Sequence, residues 1–114
     1  MSKKIDNLEE LIAPHGITCV DFTAVWCGPC KIIGPVLHNL EDDGVIEKVI
    51  SVDVDINREM ALKFGIQAVP YLVFYKDGER CHNNIRVDDY DVMKDGVVIG
   101  ALPENFMRQV ISQL

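Results

Sequence analysis

The sequence predicts a single α/β domain in which a mixed sheet of four to five strands is covered by helices on both faces. Its 114 residues suffice for one domain with one hydrophobic core. Hydrophobic residues make up 48% of the chain and charged residues 25%, as is typical of a globular protein. Short apolar runs rich in β-branched residues alternate with segments of helical periodicity, which favours strands connected by helices.

The elements follow from local patterns, taken in chain order. Residues 3–5 predict a short edge strand, and residues 6–9 predict the capped start of a helix that Pro14 and Gly16 end. Residues 17–23 predict a central strand buried on both faces, and a helix from Cys27 to about Asp43 follows it. The remaining elements are a strand at 49–54, a helix at 58–64, a strand at 71–75, a turn at 76–78, a strand at 97–99 and a final helix that starts near Pro103.

Two cysteines in a C-x-x-C motif stand at the first strand-to-helix junction. If the helix starts near Cys27, unpaired backbone N–H groups and the positive end of the helix dipole stabilise its thiolate, which makes it the nucleophile. Cys30 lies one turn further on, within disulfide reach, and is therefore the resolving cysteine. Pro29 suits the first helical turn, because its φ is already helical and it lacks an N–H that would be unpaired there.

The run Trp-Cys-Gly-Pro-Cys-Lys at residues 26–31, with Asp21-Phe22, Ala68-Val69-Pro70 and Gly100-Ala101, resembles the thioredoxin family. The resemblance covers nearly the whole chain except residues 80–95. It implies the thioredoxin fold, disulfide exchange through Cys27 and Cys30, and a cis bond before Pro70. It also implies a substrate-docking groove formed by Trp26, Gly28, Pro29, Val69, Pro70 and Gly100, whose Val-Pro backbone binds a peptide as an added strand.

Asp21 is an acidic residue in the strand predicted to be buried. Burial raises the pKa of a carboxyl, so Asp21 is expected to exchange a proton with the resolving thiol; the alternative is an exposed strand-end residue that caps a turn. The resemblance implies the first role. It also implies a lysine near Asp21, but Ser51 or its neighbours occupy that region. Without that positive charge, burial is expected to raise the pKa of Asp21 further. Cys19 is expected in the core and His38 at the surface.

Residues 80–95 are predicted to be an insertion between the last two strands, because a polar segment separates the turn at 76–78 from the strand at 97–99. The insertion is either a partner-recognition or metal-sensing extension, or an elongated β-ribbon or surface loop without chemistry; base rates for surface loops favour the second. It contains Cys81 and His82, which alone cannot complete a four-ligand zinc site, so no metal is expected.

The charge of the chain limits its partners. A net charge of −7 argues against nucleic acid and anionic membranes and favours partners with basic surfaces, although acidity also serves ordinary solubility. No apolar run of about 18 residues predicts a membrane span. Residues 1–7 include two lysines without the apolar segment of a secretory signal, so a cytoplasmic location is expected, where a C-x-x-C is more often catalytic than structural.

The predicted function is that of a thiol–disulfide oxidoreductase that reduces protein disulfides, acting as a monomer without a bound cofactor. The resemblance implies that a thioredoxin reductase, most often an NADPH-dependent flavoprotein, re-reduces the dithiol. One alternative is a docking subunit that uses the insertion, but a scaffold needs neither cysteine nor Asp21. Another is a disulfide oxidase or isomerase. Gly28 and Pro29 favour reduction, since oxidants and isomerases more often carry a histidine between the cysteines.

Overall fold

A computed structural model describes residues 3–114. A short 3₁₀ helix, Glu9–Leu11, precedes the main elements. These are β1 (Ile17–Thr23), α1 (Gly28–Asp42), β2 (Lys48–Asp53), α2 (Arg58–Lys63), β3 (Tyr71–Lys76), β4 (Glu79–Arg80), β5 (Ile85–Val87), β6 (Tyr90–Met93), β7 (Val97–Ile99) and α3 (Glu104–Ser112). None of the helices within residues 3–114 combines the length and the apolar composition that crossing a bilayer requires.

The main sheet is centred on β1, the strand that the sequence predicts to be buried on both faces. β2 pairs with it in parallel and β3 pairs with it antiparallel on the other side. The side chains of β1 alternate between two apolar clusters. Cys19 packs on the side of α1 and α3, whereas Val20 and Phe22 pack on the side of α2 and the N-terminal segment. The mixed sheet with helices on both faces is therefore confirmed.

The outer edge of β3 carries one interrupted strand. β4 pairs with the end of β3, and β7 pairs with its start. Between them, the N–H of Cys81 donates to the carbonyl oxygen of Phe74 at 2.9 Å, and the N–H of Phe74 donates to the carbonyl oxygen of Gly96 at 3.1 Å. Residues 82–95 are therefore inserted within a single edge strand, whereas the sequence predicts an insertion between two strands. Turn residues at 76–78 and 94–96 mark both ends of the break but do not reveal that the two flanking segments share one partner.

The inserted segment is a β-hairpin with one apolar face. β5 and β6 pair antiparallel and are joined by Asp88 and Asp89, whose φ angles of 51° and 69° match the left-handed turns that connect tight hairpins. The inward side chains of the hairpin lie in the same cluster as α3: Ile85, Val87 and Met93 with Met107, Val110 and Ile111. The ribbon is thus covered on its apolar side by the domain itself.

The N-terminal segment differs from the sequence prediction. Residues 3–5 form no strand; instead the N–H of Ile5 donates to Asn57 Oδ1 at 2.7 Å, and the Asn57 amide donates to the carbonyl oxygen of Lys3 at 3.3 Å. The predicted helix after residue 6 is reduced to the three-residue 3₁₀ helix, although Asn7 Oδ1 does accept from the N–H of Glu9. The backbone of Ile12 is already extended, with φ −66° and ψ 129°, so the helix ends after a single turn.

Candidate active site

The two cysteines of the C-x-x-C motif lie at the start of α1 and are joined by a disulfide, with their Cα atoms 5.3 Å apart. Cys27 is the N-cap residue: its backbone is extended, and its sulfur accepts the N–H of Cys30 at 3.2 Å. Pro29 occupies the first helical turn, as the sequence predicts. After reduction, a thiolate at Cys27 would lie against a backbone donor and the positive end of α1, and both lower the free energy of the anion.

The loop before β3 approaches the disulfide from the opposite side. The bond between Val69 and Pro70 is cis, in agreement with the expectation from the family resemblance. The sulfur of Cys27 lies 3.6 Å from the carbonyl oxygen of Val69. The N–H of Gly100 donates to the carbonyl oxygen of Pro70 at 2.9 Å, which brings the end of β7 to the same place. Segments that are far apart in the sequence therefore meet around the two sulfurs.

Exposed apolar side chains flank the disulfide, whose two cysteines are themselves buried. Trp26 is 68% exposed, and its indole N–H donates to Asp55 Oδ2 at 2.8 Å. Val25, next to Trp26, and Ile99, next to Gly100, are also exposed. At Gly28 an added Cβ would meet nothing within 4 Å, so the surface there is open. Sequence reasoning missed Asp55, Val25 and Ile99, since a polar residue 29 positions away and single exposed apolar residues carry no motif.

Asp21 is buried within β1, with 5% of its surface exposed. Its strand neighbours are Ser51 on β2 and Leu72 on β3, neither of which carries a charge. Its Oδ1 has no hydrogen-bond partner. Burial raises the pKa of this carboxyl to about 6, and the charge of His38 on α1 works in the opposite direction. The predicted upward shift is confirmed, and the alternative of an exposed strand-end cap is wrong.

The other candidate residues lie apart from the two sulfurs. Cys19 is fully buried beside α1, and burial followed by the charge of Asp21 raises the pKa of its thiol well above the usual range. Cys81 is buried at the base of the inserted hairpin, and burial raises the pKa of its thiol too. His82 contacts Asp95 at 2.6 Å, with both side chains exposed. Among residues 3–114, no group of three or more His, Cys, Asp or Glu side chains is arranged to hold a metal ion.

Comparison with known proteins gives consistent matches. The family model described as Thioredoxin matches residues 2–97. Thioredoxin of Bacillus subtilis (strain 168) is 48% identical over 66 residues, which are 57% of this chain and 64% of that protein. Thioredoxin of Chlamydia muridarum is 36% identical over 86 residues, or 75% of this chain and 83% of that one. The crystal structure of reduced Schistosoma mansoni thioredoxin pre-protein superposes with a TM-score of 0.74 at 31% identity, covering 98% of this chain and 93% of that chain.

The fold and the dithiol at the start of α1 define a thiol–disulfide oxidoreductase. The chain belongs to the thioredoxin family, as the match over residues 2–97 shows. It is accordingly a protein-disulfide reductase, whose partners are disulfide-containing proteins and a thioredoxin reductase.

Proposed function

We propose that Cys27 is the attacking cysteine of this protein-disulfide reductase, that Cys30 is the resolving cysteine, and that Asp21 accepts the proton of Cys30. The observation that supports this assignment best is the 3.2 Å contact between the N–H of Cys30 and the sulfur of Cys27 at the N-cap of α1. That donor favours the thiolate at Cys27 and has no counterpart at Cys30, which lies inside the first turn.

The reaction consists of two exchanges. The Cys27 thiolate attacks one sulfur of the substrate disulfide, a mixed disulfide forms, and the other substrate sulfur leaves as a thiolate that takes up a proton. The thiol of Cys30 then gives its proton to the Asp21 carboxylate and attacks the Cys27 sulfur. The second substrate sulfur leaves as a thiolate and takes up a proton, and the Cys27–Cys30 disulfide remains. The substrate has gained two electrons from the dithiol and two protons: one is the proton that Cys30 releases through Asp21, and the other comes from water and equals the proton that Cys27 lost when its thiolate formed.

The substrate would bind across the surface formed by Trp26, Gly28, Pro29, Val69, Pro70 and Gly100. Three features support this position: the exposure of Trp26, the open space at Gly28 and the closeness of Val69 to the sulfur of Cys27. An extended substrate segment can place its backbone beside residues 69–70, as an added strand does. Exposed apolar groups next to the sulfurs then contact the protein around the substrate disulfide.

The identity of the reductase, the oligomeric state and the location of the protein belong to the same proposal. The reductase that renews the dithiol would be an NADPH-dependent flavoprotein, as the family resemblance implies, because the Cys27–Cys30 disulfide needs a two-electron donor and the chain is expected to bind no cofactor of its own. The protein would act as a monomer in the cytoplasm, where glutathione and thioredoxin systems keep thiols reduced.

A trapping experiment tests the roles of the two cysteines. We expect Cys30→Ser to accumulate a mixed disulfide with a protein substrate through Cys27, since no resolving thiol remains, and Cys27→Ser to trap far less. Cys81→Ser is the matched control, because Cys81 is buried away from the site, and it should turn over like the native protein. Trapping mainly by Cys27→Ser would reverse the two roles.

A further inference from the structure

Trp26, the exposed aromatic residue beside the dithiol, is held by a contact from another element. Its indole N–H donates to Asp55 Oδ2 at 2.8 Å, although 68% of the side chain is exposed. Asp55 lies in the loop between β2 and α2. Thr23 and Asp53 lie opposite one another in the parallel pair of β1 and β2, so the segments that follow them leave the sheet at the same edge. The position of the indole therefore depends on how the loop after β2 is fixed.

Asp53 fixes that loop from inside the protein. It is the last residue of β2, and 3% of its surface is exposed. Its Oδ1 atom accepts the N–H of Asp55 at 2.8 Å and the N–H of Ile56 at 3.2 Å. A short polar side chain that accepts N–H groups two and three residues further on closes a compact turn. One buried side chain thus sets the shape of the loop that carries Asp55.

The far end of the loop is anchored in the interior as well. Asn57 is buried, and the carbonyl oxygen of Asp53 accepts both its backbone N–H, at 2.9 Å, and its side-chain amide, at 3.1 Å. Between these two buried residues, the side chain of Asp55 lies at the surface. Hydrogen bonds therefore run from the buried Asp53 through the backbone of Asp55 to the indole of Trp26.

We propose that Asp53 is a positioning residue that acts through Asp55 to hold the indole of Trp26 in one orientation for substrate docking. The inference rests on the place of Trp26 in the proposed docking surface. An exposed side chain that already has its bound orientation loses less conformational entropy when a partner covers it. The fixed indole favours binding of the protein around a substrate disulfide and takes no part in the exchange between the sulfurs.

The fluorescence of Trp26 tests this inference directly, because the chain contains one tryptophan. In Asp53→Ala the N–H groups of Asp55 and Ile56 lose their acceptor. We therefore expect the fast local component of the fluorescence anisotropy decay to increase in the reduced protein. Asp53→Asn keeps a carbonyl oxygen that can accept the same N–H groups, so it should restore the native decay.

Asp77→Ala is the matched control for a general loss of stability. Asp77 Oδ1 also accepts a loop N–H, that of Gly16 at 2.8 Å, but it follows the end of β3 that lies away from the dithiol. Its φ of 51° is unfavourable for alanine, so this variant weakens the fold without changing the loop after β2. The anisotropy decay of Trp26 and the KM for a protein disulfide should both stay native.

Steady-state kinetics with a protein disulfide measure the consequence for docking. We expect Asp53→Ala to raise the KM about threefold, because the substrate must then order the indole itself, and the loss should fall on KM rather than on kcat. Asp55→Ala should raise the KM by at least as much. Asp53→Ala should add little in the Asp55→Ala background, and a full additional rise there would contradict action through Asp55.

The two measurements separate this inference from the proposed function. An indole as rigid in Asp53→Ala as in the native protein would overturn the inference and leave the docking surface untouched. Equal mobility of the indole in Asp53→Ala and Asp53→Asn would overturn it too, since the accepted N–H groups would not be what holds the loop. A mobile indole in both Asp53→Ala and Asp55→Ala with an unchanged KM would show instead that Trp26 does not contact the substrate, and the docking surface on which the inference rests would be wrong.

Discussion

Asp21 lies directly across from Ser51 in the parallel pair of β1 and β2. The side chain of Ser51 is exposed and uncharged, whereas the carboxyl of Asp21 is buried, and its Oδ1 has no hydrogen-bond partner. Burial raises the pKa of this carboxyl to about 6. The centre of the sheet thus holds an acid that changes charge just below neutral pH, which makes the stability of the fold depend on pH.

We expect the protein with its disulfide intact to lose stability as the pH rises from about 4 to about 7. The folded chain holds a proton on Asp21 up to about pH 6, whereas the unfolded chain loses it near pH 4, so the folded state binds more protons in between. A difference of about 2 pH units corresponds to about 3 kcal/mol. Asp21→Asn should remove most of this decline, so its free energy of unfolding should exceed that of the native protein most at pH 8.

Urea unfolding at a series of pH values measures this difference. Asp88→Asn is a suitable control, because it also removes one carboxylate but from an exposed hairpin turn where asparagine is well tolerated. The control should follow the native pH dependence. If Asp21→Asn did so as well, burial of this carboxyl would not be the source of the decline.

Placing a cation at the neighbouring strand position should reverse part of the effect of burial. Ser51→Lys puts a long side chain at an exposed position opposite Asp21. An opposite charge within a few ångströms favours the carboxylate, so the midpoint of Asp21 should fall by about 1 pH unit. Titration of the carboxyl by ¹³C NMR measures the shift, and Ser51→Gln controls for the added length. An unchanged midpoint in Ser51→Lys would mean that the ammonium group remains in water.

The features that the sequence predicts correctly are those that local patterns determine. Cys27, Cys30 and Pro29 lie within four residues of one another, and their geometry follows from one helix start. The burial of Asp21 follows from the apolar run around it. The charge of His38 lowers the pKa of Asp21, but the two residues are 17 positions apart and lie on different elements. No local pattern in the sequence predicts this effect.

Two of the differences from the sequence prediction also concern distant contacts. Residues 3–5 have the composition of a strand, but they are held as irregular backbone by the side chain of Asn57, more than 50 residues away, which accepts from the N–H of Ile5 and donates to the carbonyl oxygen of Lys3. The inserted hairpin interrupts an edge strand whose halves are identified only by their common pairing with β3. Tertiary contacts override local propensity in both places.

Ile99 is expected to contribute to the docking of protein substrates. It is 62% exposed and precedes Gly100, whose N–H bonds to Pro70 beside the sulfurs. Ile99→Ser should raise the KM for a protein disulfide about fivefold, since truncating an apolar contact in an interface costs about 1 kcal/mol. Turnover of a small synthetic disulfide should not change.

Steady-state kinetics with both substrates make this comparison. Leu62→Ser is the matched control, because Leu62 is an even more exposed aliphatic residue, on α2 rather than beside the dithiol. It should leave both KM values at their native level. An equal rise in KM in the two variants would show that exposed aliphatic residues affect substrate binding whatever their position on the protein.

Arg80 is expected to stabilise the base of the inserted hairpin. Its Nη1 atom donates to the carbonyl oxygen of Cys81 and, at 2.6 Å, to that of Asp95, so one guanidinium holds both ends of the insertion together. Arg80→Gln should lower the free energy of unfolding by about 1–3 kcal/mol, because two charge-assisted hydrogen bonds are lost. Amide hydrogen exchange in β5 and β6 should become faster.

Arg86→Gln provides the control within the same hairpin. Arg86 contacts Asp91 at 3.2 Å with both side chains exposed, and such pairs contribute less than about 1 kcal/mol. Arg80 pairs with Tyr75 at the end of β3, whereas Pro70 precedes the start of that strand, so neither variant should slow the reduction of a small disulfide. If Arg80→Gln left hydrogen exchange in the hairpin unchanged, the packing of the apolar face of the hairpin on α3 would be what holds it in place.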